Sequence, residues 1–179
     1  LLLFDVINGG LDKIIDMPGV EQQRSPAFSP DGRYVAFSGN IKGINDIFLV
    51  DLETLEVSNV TQDEIFDEAP TFSPDGRWLT YSSFIGEKSQ IFRLELSDPS
   101  KRYQLTDSPH INKEPAYSLD GERIYFASDR EGAFNIYSLD LDGGTVQKYT
   151  NAITGCDRPT VLPLPEGGER LVYASYWKG

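Results

Sequence analysis

Ser29-Pro30-Asp31-Gly32-Arg33 is repeated as Ser73-Pro74-Asp75-Gly76-Arg77, and each copy sits inside a longer unit that recurs along the chain. The prolines ahead of the copies and of their weaker counterparts, Pro26, Pro70, Pro115 and Pro159, are spaced 44, 45 and 44 residues apart. A constant period of this length marks stacked supersecondary units, each too small to bury its apolar face alone.

Working outward from the turn, each unit opens with a short apolar run: Pro26 to Ser29, Pro70 to Ser73, Pro115 to Ser118. Asp-Gly follows, at Asp31-Gly32, Asp75-Gly76 and Asp120-Gly121. Asp-Gly between apolar runs is a strong hairpin signal, because glycine accepts positive φ without a Cβ clash. The second run, Arg33-Tyr34-Val35-Ala36-Phe37-Ser38 with its counterparts Arg77 to Ser82 and Glu122 to Ala127, is rich in aromatic and β-branched residues and predicts a strand. A third strand is predicted over Ile47–Leu52, Ile91–Leu96 and Ile136–Leu141. In the last two, Arg93 and Glu95 or Ser138 and Asp140 alternate with apolar residues, so one buried and one wetter face is expected. A shorter, more polar run ending in Thr61, Thr106 or Thr150 is expected to form the outermost strand, where polarity blunts edge pairing.

Four antiparallel strands per unit of about 44 residues predict an all-β fold, a β-propeller or a segment of one, over residues 1–179. The units are 25–68, 69–113 and 114–157, between half units at 1–24 and 158–179. The first half unit carries a third strand and the last a second strand, so the halves are complementary. They either pair into a composite blade of a closed four-blade ring or belong to a larger propeller. The start inside a strand, without an initiator Met, favours the larger propeller.

The formal net charge is −12, from 16 basic and 28 acidic residues. Binding to a phosphate backbone relies on clustered Lys and Arg, and no basic stripe is present, so nucleic acid is not expected as a partner. No apolar run approaches the roughly 18 residues of a membrane span, so no direct membrane insertion is expected. The single cysteine, Cys156, rules out an internal disulfide.

The repeated pattern of Pro26 to Arg33 with Phe37, Ile47, Asp51 and Thr61 resembles the TolB-type, WD40-like propeller repeat. Pro70 to Arg77 with Tyr81, Ile91 and Thr106 matches it again, and so does the third unit, except that Leu119 replaces the turn proline. In the fourth, Leu162 to Gly168 lengthens the turn, which singles this loop out for an individual role. The resemblance implies a bacterial, periplasmic or secreted scaffold that binds a protein or peptide. Its alternative is the propeller module of a serine peptidase of the prolyl oligopeptidase type, gating or recruiting substrate.

No residue carries an obvious reaction. No Gly-x-Ser-x-Gly occurs, and the one histidine, His110, falls in a predicted inter-blade loop beside Asp107, Ser108 and Pro109. Cys156 reads as a small packed thiol. Paired metal ligands of the zinc type are absent, and Asp140-Leu141-Asp142-Gly143 lacks the distal ligands of a calcium loop and reads as an Asx turn, so no metal and no cofactor are expected. The acidic run Asp63 to Glu68 reads as a solvated loop in which Phe66 caps a blade junction, or as a docking surface. Asn59-Val60-Thr61 fits a glycosylation acceptor but lies on a predicted strand. First strands of a propeller line its central channel, which puts Arg24, Glu68, Lys113, Glu114, Asp157 and Arg158, just ahead of the prolines, at the channel mouth. These six are the candidate ligand- or partner-binding residues.

Overall fold

The fold comes from a computed structural model, which describes residues 1–176. Sixteen strands and no helix form among them. Three four-stranded antiparallel meanders follow one another: β3 (Gln23–Phe28), β4 (Tyr34–Ile41), β5 (Ile44–Asp51) and β6 (Val57–Asn59); then β7 (Asp67–Phe72), β8 (Trp78–Ile85), β9 (Lys88–Glu95) and β10 (Asp98–Gln104); then β11 (Asn112–Tyr117), β12 (Arg123–Ser128), β13 (Asn135–Asp140) and β14 (Val146–Lys148). Two-stranded sheets flank them, β1 (Leu2–Asp5) with β2 (Gly10–Ile14) and β15 (Cys156–Pro163) with β16 (Glu169–Ser175). These hairpins are the last and first pairs of a blade, as the phase of the repeat requires. They form separate sheets and do not touch, so the arc of blades is open.

Within each Asp-Gly turn the serine hydroxyl bridges the Asp carboxylate and a backbone N–H beyond the glycine. Ser29 Oγ donates to Asp31 and accepts from Tyr34 N at 2.8 Å; Ser73 does the same with Asp75 and Trp78, and Ser118 with Asp120 and Arg123. Gly32 sits at φ 72°, a left-handed backbone that strains any residue with a Cβ although the space around it is open. In the third unit Leu119 has the N–H that a turn proline lacks, and it donates to Glu169 Oε2 at 2.8 Å. Tyr125 Oη donates to the other oxygen of the same carboxylate at 2.6 Å. The hairpin that carries the lengthened 162–168 loop is thus docked onto the third unit through the very position that departs from the repeat.

The residue before each repeat proline adopts positive φ: Ser25 at 51°, Ala69 at 54°, Glu114 at 56° and Arg158 at 53°. At each place two first-strand residues face one on the second strand, a β-bulge. Left-handed backbone costs a non-glycine residue roughly 1–2 kcal/mol, so it persists where other contacts hold it. Those contacts are visible. Ala69 N–H donates to Ser38 Oγ of the preceding blade at 3.1 Å, and Glu114 N–H to Ser82 Oγ at 2.8 Å. At the next junction the serine is replaced by Ala127, and Arg158 N–H turns to the Glu114 carboxylate at 2.9 Å.

Successive blades pack face to face. Ala36 and Ile47 of the first full blade join Phe72, Leu79, Tyr81 and Leu94 of the second, while Phe37, Phe48 and Val50 point the other way, onto Ile15 and Met17. Ile91 joins Tyr117, Ile124, Phe126, Tyr137 and Leu139, and the opposite face of the third blade meets Cys156. The expected wetter face of the third strand is therefore corrected. Ser138 is buried like its apolar neighbours, because each internal blade is covered on both sides. The outer strand β10 also starts earlier than expected. The turn is Leu96-Ser97, and Asp98 already pairs with Glu95 before a register shift leads to Arg102. Pro99 is tolerated there because an edge strand needs no N–H on its outer side.

Two outcomes follow. Ser82→Ala strands the Glu114 N–H and is expected to cost about 1–3 kcal/mol, read as a fall in Tm of about 2–4 °C per kcal/mol, whereas Ala127→Ser is tolerated. Gly39→Ala places a Cβ 2.7 Å from the Phe48 ring and 2.8 Å from Val20 and is expected to destabilise by about 1–3 kcal/mol in the same melt.

Candidate functional site

The first strands β3, β7, β11 and β15 stand side by side and enclose a cavity of about 610 Å³. Its wall is made of the four repeat prolines, Pro26, Pro70, Pro115 and Pro159, with small residues such as Ala27, Thr71 and Ala116 between them. Pro lacks an N–H, and the bulge turns the pre-proline amide toward the neighbouring blade. The four prolines thus add apolar surface and no N–H donor, and the polar side chains in the lining include Ser25, Thr71, Ser118, Thr160, Glu114 and Arg158. Phe72, Tyr117 and Leu119 add larger apolar area. Because β3 and β15 do not touch, the cavity is a groove open between them.

The bulge also decides where the six candidate residues go. Arg24, Glu68, Lys113 and Asp157 each pair, two residues before the proline, with the same position of the second strand, so they form one tier of the arc. Their charges alternate in sign around it. Lys113 Nζ lies 3.6 Å from Asp157 and 3.8 Å from Glu114, and 4.6 Å from the centre of the Phe134 ring. Burial pushes the Glu68 carboxyl above the usual range and the Glu114 charge adds to this, while Lys113 and Arg24 oppose it. Asp157 is buried and accepts from Tyr176 Oη at 3.0 Å. Arg24 reaches Gln22 at 3.0 Å. Only Glu114 and Arg158 line the cavity itself. Arg158 Nε lies 3.6 Å from Glu114, yet its side chain is 78% exposed. The tier is thus largely self-neutralised, with three cations against three carboxylates.

The remaining candidates fall outside this groove. His110 is partly exposed, with Nδ1 3.9 Å from Asp129, while its carbonyl accepts from Gln90 at 2.8 Å. Cys156 is packed at the junction of the third blade and the last hairpin. Asp140 Oδ1 accepts from Asp142 N at 3.1 Å and from Gly143 N at 2.6 Å, the Asx turn expected from its sequence. Phe66 meets Phe84 edge-on at 5.2 Å. The Asn59 side-chain nitrogen is held by Asp46 at 2.6 Å. What sequence reading missed is the proline-and-alanine wall, which becomes a surface only once four repeats are set side by side.

The family model described as the TolB beta propeller domain matches residues 1–103. A Bordetella pertussis Tol-Pal system protein TolB is 47% identical over 45 residues, 25% of this chain and 10% of that protein. The Agrobacterium fabrum protein Atu1656 is 36% identical over 73 residues, 41% of this chain and 24% of that protein. The chain therefore spans a quarter or less of the length of these curated relatives. Among solved structures, TolB from Acinetobacter baumannii superposes with a TM-score of 0.71 at 26% identity, over 85% of this chain and 40% of that one. An Agrobacterium tumefaciens structure described as a TolB reaches 0.76 at 23% identity, over 89% of this chain and 60% of that one. More distantly, the propeller of a puromycin hydrolase reaches 0.69 at 14% identity, over 89% of this chain and 28% of that one. With the family model covering more than half of its residues, and with the same meander of blades, the chain belongs to the TolB β-propeller family.

Proposed function

We propose that this chain is a non-catalytic binding module that takes an extended protein or peptide segment along the groove between β3, β7, β11 and β15, in a bacterial periplasm or in a secreted setting. The observation that carries this reading is the groove itself, about 610 Å³, with a wall of four prolines and small side chains. A concave apolar wall with a few polar groups at its rim is the general form of a ligand site. The exposed Arg158 guanidinium, paired only at the rim with Glu114, suits a segment that carries a carboxylate. The net charge of −12 disfavours acidic polymers in general. Resemblance to Tol-Pal system proteins supports a partner that is itself a protein.

A second reading has its own support. The YuxL peptidase of Bacillus subtilis is 37% identical over 67 residues, 37% of this chain and 10% of that protein, and puromycin hydrolases share the blade arrangement. Under that reading the same groove admits or recruits substrate for a hydrolase domain elsewhere in a longer protein. The gene sequence on either side of residues 1–179 separates the two, since a hydrolase domain with Gly-x-Ser-x-Gly decides for the peptidase.

Screening the folded chain against a peptide library, followed by calorimetric titration of the selected peptides, tests the groove. Ala116→Trp, which fills it, is expected to weaken binding about tenfold or more, equivalent to about 1.4 kcal/mol, with the Tm little changed. Unchanged affinity in that variant contradicts the reading.

A further inference from the structure

At each of the three junctions that follow a full blade, the first residue of the third strand's core and the last threonine of the outer strand meet in a largely buried polar knot beside the opening residue of the next first strand. The threonine is constant. Thr61, Thr106 and Thr150 each accept from the N–H of Ile47, Ile91 or Ile136 at 2.9 Å. Each donates in turn to the residue before that isoleucine, namely Asp46 at 3.2 Å, Gln90 at 2.9 Å and Asn135 at 2.8 Å. The third partner varies. At the second junction it is Asn112, fully buried, whose Nδ2 donates to Gln90 Oε1 at 3.0 Å. At the third it is Cys156. The side chains at these positions are neutral in both knots, and at the second junction Arg130 Nη2 also donates to Asn112 Oδ1 at 3.2 Å.

At the first junction the same two positions are Asp46 and Asp67, two carboxylates where the next junction has an amide donor facing an amide acceptor. Asp67 is 1% exposed, and neither of its carboxylate oxygens has a hydrogen-bond partner. An unpaired buried charge is among the costliest features a fold can carry. A third carboxylate, Asp63, joins the cluster, with oxygens of all three within 4.8 Å of one another. Arg102 from the next blade lies 2.7 Å from the outer oxygen of Asp63 and is held by the carbonyl of Val60 at 3.2 Å and by that of Thr61. It offsets one negative charge of the three. A proton on Asp67 offsets one more; a divalent cation offsets both that remain.

We propose that Asp46, Asp63 and Asp67 hold a calcium ion at the junction of the first and second full blades, pinning β5 of one to β7 of the other. The donor set is all oxygen, with the Thr61 hydroxyl alongside, which suits a hard cation and excludes the sulfur and imidazole ligation that selects zinc. Oxygens within 4.8 Å of one another can share a cation whose bonds are about 2.3–2.6 Å long. Existing donors leave room for this: Asp46 is fixed by Asn59 and Thr61, Asp63 by the Ile65 N–H at 2.8 Å, and Asp67 is free. Burial, reinforced by the charges of Asp63 and Asp46, pushes the Asp67 carboxyl up to about 7; the hydroxyls of Ser83 and Thr61 lie close enough to offset part of the shift but make no well-formed hydrogen bond to it. On this proposal the acidic run Asp63 to Glu68 contributes two ligands, Asp63 and Asp67, at a place where the sequence alone led to no metal being expected.

The test uses the whole chain after treatment with a chelator. Calcium chloride is titrated into it by calorimetry, and its Tm is followed with and without calcium at matched ionic strength. Binding of about one equivalent at or below about 1 mM, with a rise in Tm, is expected. Asp67→Asn restores the neutral knot seen at Asn112, so it is expected to fold while weakening calcium binding about tenfold or more and losing the calcium-dependent rise in Tm. Should that variant fail to fold, Asp63→Asn at the more exposed end carries the same expectation. A folded wild-type chain that takes up no calcium at about 1 mM, or a folded variant that binds it as tightly as wild type, overturns the proposal.

Discussion

The structure depends on one backbone feature, the left-handed residue before each repeat proline. Ser25, Ala69, Glu114 and Arg158 turn the first strand so that two of its residues face a single aromatic on the second strand. The amide freed by this bulge leaves its own sheet and is satisfied by the blade before it, through Ser38, Ser82 or the Glu114 carboxylate. A strained conformation and a buried N–H would each be unfavourable alone. Together they tie the second and third full blades and the last hairpin to the blade before each. The proline that follows can give no hydrogen bond and lines the inner wall, while the charged residue just ahead is carried to the rim.

The proposed binding groove depends on the same device. A groove walled by prolines and alanines needs four copies to exist, and its rim charges alternate because neighbouring repeats carry opposite signs at the same position. Lys113, Asp157, Glu114 and Arg158 neutralise one another, so the rim brings little net field of its own, and the proposed recognition would rest mainly on the shape of the groove. Such a surface serves a scaffold and a substrate-admitting propeller equally well. Fold membership alone does not choose between them.

Much of this was legible in the residues. The Asp-Gly turns, the aromatic second strands and the 44- to 45-residue spacing are local signals, and each survives in the fold because it depends on nothing distant. Burial on the third strands was not, since Ser138 is covered by a blade more than a dozen residues away in sequence. Leu119 looked like a lapse in the repeat until Glu169, fifty residues on, was seen to accept its N–H. The rim was read from the prolines, but its pairing pattern and the inner wall were not. Asp46 escaped notice for the same reason, because only the pairing of β5 with β6 and the turn into β7 bring it to Asp63 and Asp67.

The most direct measurement is native-state hydrogen exchange at the amides of Ala69 and Glu114. Both lie at bulges near an open groove, where an unbonded N–H exchanges freely. If these amides hold successive blades together through Ser38 and Ser82, they are protected as strongly as the central amides of β8 and β12 and open only with the blade as a whole. Exchange as fast as that of the exposed turns would contradict the account.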